Sequence, residues 1–280
     1  MTDAACVAFL QWALPAMGLR WPGFRKVRGQ VCKRVARRLL ELGLRGAPAY
    51  SAYLESHPQE WSRLDAMCRI TISRFYRDRG VFQFLEREVL PDLAARALAR
   101  GDRVLRCWSA GCAGGEEPYT LAILWRLGLM PCFPALEMRI IATDADREML
   151  RRAARGCYRF SSTKEFPEEW RDLAFTRAAD LYCVRPEYRE KVAVMRQDLR
   201  RAMPDGPFDL ILCRNCAFTY FDHSLQGALL RGFGQRLREG GALLVGAHEA
   251  LPPESPGWKA WPGGHGVYRK NGPAGCAAVQ

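Results

Sequence analysis

The stretch V-L-R-C-W-S-A-G-C-A-G-G-E-E-P-Y-T-L at residues 104–121 constrains the fold of this chain more than any other. Its mostly apolar start predicts a buried strand. Small residues follow, Gly111 among them, and then Glu116 and Glu117 lead into an apolar helical run. A strand that passes through a glycine-rich turn into a helix is typical of α/β folds in which the backbone approaches a nucleotide-like ligand.

The two carboxylates indicate which ligand suits this turn. The phosphate-binding patterns G-x-x-x-x-G-K-[ST] and G-x-G-x-x-G are absent from it, and Glu116 and Glu117 would repel a pyrophosphate. A ligand with hydroxyls and a positive charge suits the turn better. S-adenosylmethionine carries a ribose, an ammonium and a sulfonium, so we expect it as the cofactor and S-adenosylhomocysteine as the product.

Strands and helices alternate from residue 103 onward, which predicts a parallel sheet with ligands at the carboxyl ends of its strands. The segment G-V-Y-R-K at 266–270 is predicted to be an edge strand. A small antiparallel insert is expected at 179–195, where A-D-L-Y-C-V would pair with K-V-A-V-M. The predicted domains are a helical one at 1–90 and an α/β one at 91–280.

A basic helix dominates the N-terminal region. Apolar residues from Phe24 to Leu42 recur at steps of three and four, and the opposite face is basic from Arg25 to Arg38. The chain carries a net charge of +12, which favours an acidic partner such as nucleic acid, an anionic membrane surface or an acidic protein face. The basic face is either a solvated surface or a docking site for that partner.

The eleven cysteines are odd in number and scattered, which predicts reduced thiols, Cys157 among them, and a reducing cytoplasm. Cys213 and Cys216 form a lone C-x-x-C with no second ligand pair, so no metal site is expected. No apolar run approaches the ~20 residues of a membrane span, and the N-terminus does not have the basic region of a secretory signal.

Polar residues follow two further predicted strands. Asp144 ends one of them, in the place of an acidic residue that accepts ribose hydroxyls, or else it caps the next helix. Arg214 and Asn215 end the other, and Tyr220 follows, either as a site residue or as packing. Together with the glycine turn, these strand ends suit one ligand.

Read together, these segments resemble the CheR-type protein-glutamate methyltransferases, which methyl-esterify glutamates on bacterial chemotaxis receptors. The matching segments are R-F-Y-R-D, W-S-A-G-C-A-G-G-E-E-P-Y, I-I-A-T-D-A-D, G-P-F-D-L-I-L-C-R-N and G-V-Y-R-K. The resemblance implies a Rossmann-like class I methyltransferase fold with a small all-helical N-terminal domain and a small antiparallel β insert. It also implies that a receptor helix docks on the face from Arg25 to Arg38.

The resemblance also implies roles for individual residues. Arg77 and Tyr220 would form the reaction centre, with Arg77 orienting the acceptor carboxylate. The alternative for Arg77 is a local ion pair with Asp78. The residues that would contact the cofactor are Thr71, Ser73, Arg77, Gly111, Glu117 (its amino group), Asp144 (its ribose), Asp198 and Leu199 (its adenine), Arg214 and Asn215.

Other functions remain open at this point. One extra residue precedes Tyr220 relative to the family's spacing, which motivates a small-molecule or peptide acceptor. The net charge motivates a nucleic-acid-binding protein, against which stands the absence of an N-P-P-[YF] motif and of any nucleic-acid-binding module. A non-catalytic module that keeps the fold is the remaining alternative, and the presence of the site residues argues against it.

Overall fold

The computed structural model describes residues 2–253 and 255–271, which fold into two compact units. The first, the helical unit, comprises the chain up to Ile70 together with Cys216–Gln226, and the second, the α/β unit, comprises Thr71–Asn215 and the chain from Gly227 onward. The division falls after Ile70, whereas the sequence analysis placed a domain boundary at residue 90. The reason is that residues after Thr71, such as Phe75 and Phe82, are buried in the core of the α/β unit.

The helices cover much of the chain. Their bounds are α1 Asp3–Ala16, α2 Trp21–Phe24, α3 Arg28–Glu41, α4 Gly46–Ser56, α5 Glu60–Cys68, α6 Arg79–Phe84, α7 Leu90–Ala99, α8 Glu116–Leu124, α9 Arg147–Arg155, α10 Phe160–Thr163, α11 Glu168–Ala174, α12 Pro186–Arg189, α13 Ala217–Tyr220 and α14 His223–Arg236. A π-helical turn extends α6 over Leu85–Val89, and another extends α8 over Trp125–Leu129. No described helix is long and apolar enough to cross a membrane.

The apolar stripe of α3 forms part of the core of the helical unit. Val31, Val35 and Leu39 are buried there, as the spacing predicted, and they share that core with residues of α1, α4 and α5. The basic helix is shorter than its pattern suggested, because α2 ends at Phe24 and α3 begins at Arg28. Residues Cys216–Gln226 also belong to this unit, where Asp222 N donates to the Gly18 carbonyl at 2.9 Å.

A buried ion pair joins α3 to α5. The guanidinium of Arg38 donates to both oxygens of Glu60 at 2.8 Å, and the Tyr50 hydroxyl donates to Glu60 at 3.0 Å. The Arg38 hydrogen bonds hold the pKa of the Glu60 carboxyl below its usual range, although burial opposes them. The Glu60 side chain is 7% exposed, so the charged pair is largely shielded from water.

We expect Glu60→Gln to lower the free energy of unfolding of the helical unit by about 2 kcal/mol at pH 7, because Arg38 then loses a charge-assisted partner. The pKa of Glu60 is lower in the folded than in the unfolded state. Its contribution is therefore present above the unfolded pKa and is lost as the pH falls through the folded pKa. Hydrogen exchange in α3 and α5 measures the difference, which should shrink in acid.

Glu41→Gln is the matched control for this prediction. Glu41 also pairs with Arg38, at 3.0 Å, but its side chain is 49% exposed. An exposed pair of this kind contributes less than about 1 kcal/mol. Equal effects of the two substitutions would contradict the role of burial at Glu60.

The α/β unit is built on a mostly parallel sheet. Its strands and those of a smaller sheet are β1 Val104–Ala110, β2 Glu137–Asp144, β3 Cys157–Arg159, β4 Phe175–Ala178, β5 Leu181–Val184, β6 Val192–Arg196, β7 Phe208–Cys213, β8 Leu237–Val245, β9 Trp258–Ala260 and β10 Val267–Lys270. Among the described residues, the larger sheet has seven strands in the order β6-β2-β1-β7-β8-β10-β9. The first five are parallel to their neighbours, and β10 and β9 are antiparallel additions.

Two strand predictions were wrong in their pairing. The strand within G-V-Y-R-K, β10, lies between β8 and β9, so it is not an edge strand, and β9 occupies that edge. Within the predicted insert at 179–195, β5 does not pair with β6. The turn of helix α12 separates them, and β6 then runs parallel to β2 as the opposite edge of the larger sheet.

The small antiparallel sheet is real but has other members. Its order is β3-β5-β4, so it spans residues 157–184 and excludes 192–196.

The expectation of reduced thiols was also wrong in part. Cys157 is disulfide-bonded to Cys183 across β3 and β5, and in the helical unit Cys6 is bonded to Cys32. Each pair is distant in sequence but adjacent in the fold, which the cysteine spacing did not show.

Candidate active site

The glycine-rich turn after β1 is held against the end of β2. The backbone N–H groups of Gly111 and Cys112 both donate to the Thr143 carbonyl, at 2.8 and 2.9 Å. Gly115 has φ +90°, a conformation that favours glycine. A Cβ there would also lie 2.9 Å from Ala153 Cβ and 3.0 Å from Tyr158 Oη. Close packing against α9 and β3 therefore explains why small residues form this turn.

Glu117 lies where β1 and β7 are neighbours. Its Oε1 accepts a hydrogen bond from Ser109 Oγ at 2.7 Å, and its Oε2 accepts one from Arg214 at 3.4 Å. Burial raises the pKa of Glu117, and Arg214 is the largest influence that lowers it. The chain crosses from one side of β1 to the other between β6 and β7, so this carboxylate sits at the topological switch point where ligands of α/β sheets bind.

Glu116 has a different environment. Its side chain is completely buried and pairs with Arg152 of α9, while burial raises its pKa. Arg152 also donates to Ser162 Oγ at 3.2 Å, and a hydrogen bond from Ser73 partly counters the pKa rise at Glu116. Of the two carboxylates at the turn, Glu117 is the one that faces Arg214, and Glu116 joins the turn to α9 and to Ser73.

Asp144 is not the cap of the following helix. The residue that caps α9 is Asp146, whose Oδ1 accepts from Glu148 N and Met149 N. Asp144 instead accepts from Ala113 N at 2.9 Å and Asp146 N at 2.8 Å, which fixes its carboxylate beside the glycine turn.

The predicted adenine contacts lie next to Asp144 along the sheet. Gln197 N donates to the Asp144 carbonyl at 3.0 Å, and Asp198 and Leu199 follow it directly. Leu199 is buried, whereas Asp198 is ion-paired with Arg200 at 2.7 Å. The predicted ribose and adenine residues are thus brought together at the ends of β2 and β6.

Arg77 is carried by a segment without regular secondary structure, residues 71–78, which also contains Thr71 and Ser73. Its neighbours Tyr76 and Asp78 both have left-handed backbone, with φ of 57° and 61°. Such backbone in non-glycine residues is uncommon and often marks a functional site. Arg77 donates to the Ile72 carbonyl at 2.9 Å, and Asp78 pairs with Arg214 at 2.7 Å. The local ion pair considered for Arg77 and Asp78 is therefore not what the structure shows.

Arg214 is almost fully buried, at 3% exposure of its side chain. Its Nε is buried and has no hydrogen-bond partner within residues 2–253 and 255–271. Buried donors are rarely left unpaired in native proteins. The guanidinium is therefore held through its other two nitrogens, which bond Glu117, Asp78 and the Arg77 carbonyl.

The sequence analysis did not single out Glu249 for any role in the site. Its Oε2 accepts from the backbone N–H groups of Asn215 and Gly246, at 2.7 and 2.6 Å. Asn215 has φ +52°, so this carboxylate fixes a left-handed residue at the end of β7. The available signal was that Glu249 follows β8, another parallel strand whose carboxyl end lies at the same edge.

Tyr220 belongs to the helical unit. Its ring packs against Phe24 with centroids 5.0 Å apart, and its carbonyl accepts from Arg20 N at 2.8 Å. The ring packs within this unit, and its role in the reaction stays a prediction.

The donor set of the α/β unit fits S-adenosylmethionine. Buried Glu117 suits an ammonium, Asp144 suits a pair of ribose hydroxyls, and the turn between them provides close backbone approach. In the part of the chain that the structure describes, no group of three or more His, Cys, Asp or Glu residues is placed to hold a metal ion.

Comparison with known proteins agrees with this geometry. The family described as CheR methyltransferase, SAM binding domain, matches residues 71–263. The chain belongs to the CheR methyltransferase family. It is an S-adenosylmethionine-dependent methyltransferase with a Rossmann-like class I fold, as the resemblance implied.

Several curated relatives of this CheR-family chain are chemotaxis protein methyltransferases. The one from Listeria monocytogenes is 34% identical over 66% of this chain and 68% of its own length. The one from Salmonella typhimurium is 33% identical over 79% of this chain and 76% of its own length. A probable chemotaxis protein methyltransferase from Rhizobium etli is 31% identical over 80% of this chain and 85% of its own length.

Proposed function

We propose that this chain transfers a methyl group from S-adenosylmethionine to glutamate carboxylates of a protein, with the cytoplasmic helices of a chemoreceptor as the acceptor. The observation that carries the proposal is the network at the switch point. There Arg214 bonds Glu117, the proposed cofactor contact, together with Asp78 and the backbone of Arg77. The names of the relatives support a chemotaxis role, and an acceptor of this kind places the activity in the cytoplasm.

The proposed chemistry is an in-line displacement. S-adenosylmethionine supplies an electrophilic methyl on its sulfonium, and transfer to a carboxylate oxygen leaves S-adenosylhomocysteine. A glutamate acceptor, with a reference pKa near ~4.3, is already ionised at neutral pH, so no general base is required. The contribution of the protein is then alignment in a site from which water is excluded.

Each proposed role is assigned to a named group. Glu117 and Asp144 hold the ammonium and the ribose, and Asn215, fixed by Glu249, lines the methyl-donor pocket. Arg77 orients the acceptor carboxylate. Tyr220 keeps the role at the reaction centre that the resemblance implies, and turnover of Tyr220→Phe tests it.

The basic face of α3 is the proposed docking surface, but three of its arginines already have partners within the helical unit. Arg28 pairs with Asp3, Arg34 donates to the carbonyls of Met67 and Arg69, and Arg38 pairs with Glu60. The exposed cations on α3 are Lys33 and Arg37, of which Arg37 also makes an exposed ion pair with Glu41 at 3.6 Å, and Arg25 and Lys26 are exposed just before the helix. Lys33 and Arg37 are four residues apart on α3, so they project from the same side.

We expect the double substitution Lys33→Glu and Arg37→Glu to raise KM for an acidic receptor fragment by about tenfold or more at low salt, because charge reversal repels the acceptor. The affinity for S-adenosylhomocysteine should not change. The difference between variant and wild type should fall as salt screens the charges. Rates of methyl transfer to the receptor fragment at several salt concentrations measure this difference in KM.

Arg45→Glu is the control for docking, since Arg45 is exposed in the same unit but lies outside α3. An equal rise in KM for this variant would show a general charge effect and would argue against a docking face.

The product itself tests the proposed reaction. The purified chain is incubated with methyl-labelled S-adenosylmethionine and a chemoreceptor cytoplasmic fragment, and the labelled protein is treated with mild alkali. A carboxyl methyl ester releases volatile label, whereas N-methyl or ether products do not. Label that stays on the protein would overturn the proposal. Base-labile label that appears only on peptides or metabolites would favour the alternative acceptor class.

A further inference from the structure

Three segments that are distant in sequence meet at one guanidinium. Arg214 follows β7, Glu117 lies in the first turn of α8, and Asp78 ends the 71–78 segment. Arg214 Nη2 donates to Asp78 Oδ2 at 2.7 Å and to the Arg77 carbonyl at 3.0 Å, and Nη1 donates to Glu117 Oε2 at 3.4 Å. Its guanidinium also lies over the Phe82 ring, with Cζ 5.2 Å from the centroid.

We propose that Arg214 is a positioning residue that couples cofactor recognition to the placement of Arg77. It acts on the cofactor through Glu117 and on the acceptor through the backbone on either side of Arg77. This inference rests on the proposed roles of Glu117 and Arg77.

The segment that carries Arg77 needs such an anchor. Phe75 and Tyr76 fix its middle, because both are buried and their N–H groups donate to the Ser162 carbonyl and to Thr120 Oγ1, at 2.9 and 3.2 Å. The next residues turn through left-handed backbone, and Arg214 holds the carbonyl of Arg77 and the side chain of Asp78 there. Without these bonds the direction of the Arg77 side chain is less well defined.

The same guanidinium favours the charged form of Glu117. Burial raises the pKa of Glu117, and Arg214, Ser109 and Arg77 oppose that rise. The same turn also carries Glu116, which pairs with Arg152, and Cys112, whose pKa is raised well above its ordinary value by burial, so the thiol is neutral. Removal of Arg214 therefore favours the protonated form of Glu117, which cannot attract an ammonium.

The test combines calorimetric binding of S-adenosylhomocysteine with steady-state kinetics for four variants of the full chain. Glu117→Gln should weaken binding by about tenfold or more, from the loss of a charge-assisted hydrogen bond. Asp78→Asn should lower kcat by about tenfold and change binding by less than about twofold, because only the anchor of the 71–78 segment is weakened. Arg214→Gln should both weaken binding and lower kcat. Arg214→Lys should recover binding more than kcat, since a lysine keeps the positive charge but not the forked donors of the guanidinium.

A pH series separates positioning from loss of structure. The ratio of the dissociation constants of Arg214→Gln and wild type should fall as the pH rises, because Glu117 of the variant then regains its charge. Protonation of S-adenosylhomocysteine itself changes both dissociation constants by the same factor, so it cancels in this ratio. Arg100→Gln is the control, since it removes an arginine from buried Asp209 at the other end of β7. Its binding and kcat should match wild type.

Each failure has a distinct signature. If Glu117→Gln binds as wild type does, the proposed cofactor site is wrong. If Glu117→Gln is weakened but Arg214→Gln shows unchanged binding and kcat, the coupling inference alone fails. A pH-independent ratio, or an Asp78→Asn variant with wild-type kcat, would also overturn it, because Arg214 would then act only through its own contact or through stability.

Discussion

Arg77→Ala should lower kcat about 100- to 1000-fold, which is the usual effect of removing one aligned donor from a reaction centre. The proposed role of Arg77 is to orient the acceptor carboxylate, and this role is needed most in the transition state. Binding of S-adenosylhomocysteine should weaken by less than about tenfold, because Glu117 and Asp144 supply most of the recognition. Single-turnover transfer with saturating cofactor measures the chemical step directly.

Arg79→Ala is the matched control for Arg77. Arg79 is exposed, begins α6 and lies just beyond the 71–78 segment. Its loss should leave kcat within about twofold of wild type, as for most surface substitutions. Arg77→Lys should recover part of the lost rate, because it restores charge without the planar fork. An Arg77→Ala variant that keeps a tenth or more of the wild-type kcat would contradict the assignment.

Asp144→Ala has the largest expected effect on cofactor binding. We expect the dissociation constant of S-adenosylhomocysteine to rise about 30- to 100-fold, from the loss of charge-assisted hydrogen bonds to the ribose. Asp144 also accepts from Ala113 N and Asp146 N, so some of the loss would reflect the turn itself. Calorimetry with the product avoids turnover during the measurement.

An analogue of S-adenosylhomocysteine without the 2′-hydroxyl separates the two contributions. It should bind more weakly than the product to wild type but equally to Asp144→Ala, since the partner of the missing hydroxyl is already absent. Asp146→Asn is the protein-side control, because asparagine preserves the cap of α9 while removing a nearby charge. Loss of binding in Asp146→Asn equal to that in Asp144→Ala would indicate a general electrostatic effect.

The central sheet could be predicted because its signals are local. β7, Phe208–Cys213, is such a case, since the run is apolar except for Asp209 and every residue in it is buried. The glycine-rich turn after β1 could also be predicted from a local pattern, its run of small residues. Its hydrogen bonds to the end of β2 follow because parallel strands end at the same edge of a sheet.

Pairing was harder to predict than the presence of strands. The residues of β5 and β6 are close in sequence, which favoured a hairpin, but β6 pairs with β2 in the larger sheet, where Val192 is part of the core. Gly240 and Gly241 are residues of the type that ends a helix, so the sequence there favours a helix end over a strand. Instead, the strand begins at Leu237 and runs through both glycines.

The residues of the candidate site also differ in whether the sequence could predict their neighbours. Asp144 and Glu117 follow strands, so their proximity to one ligand could be inferred from topology alone. The ion pair of Asp78 with Arg214 joins residues far apart in sequence, so the sequence offered only the neighbouring Arg77 as an alternative partner of Asp78. Glu249 was missed because it acts through backbone N–H groups, which no side-chain pattern reveals.

The proposed reaction is tested by tandem mass spectrometry of a chemoreceptor cytoplasmic fragment. After incubation with S-adenosylmethionine and the wild-type chain, we expect methyl esters on glutamate side chains of the receptor helices, and their near absence when Arg77→Ala replaces wild type. Methylation of lysine, cysteine or the chain terminus, or equal glutamate methylation by both proteins, would contradict it.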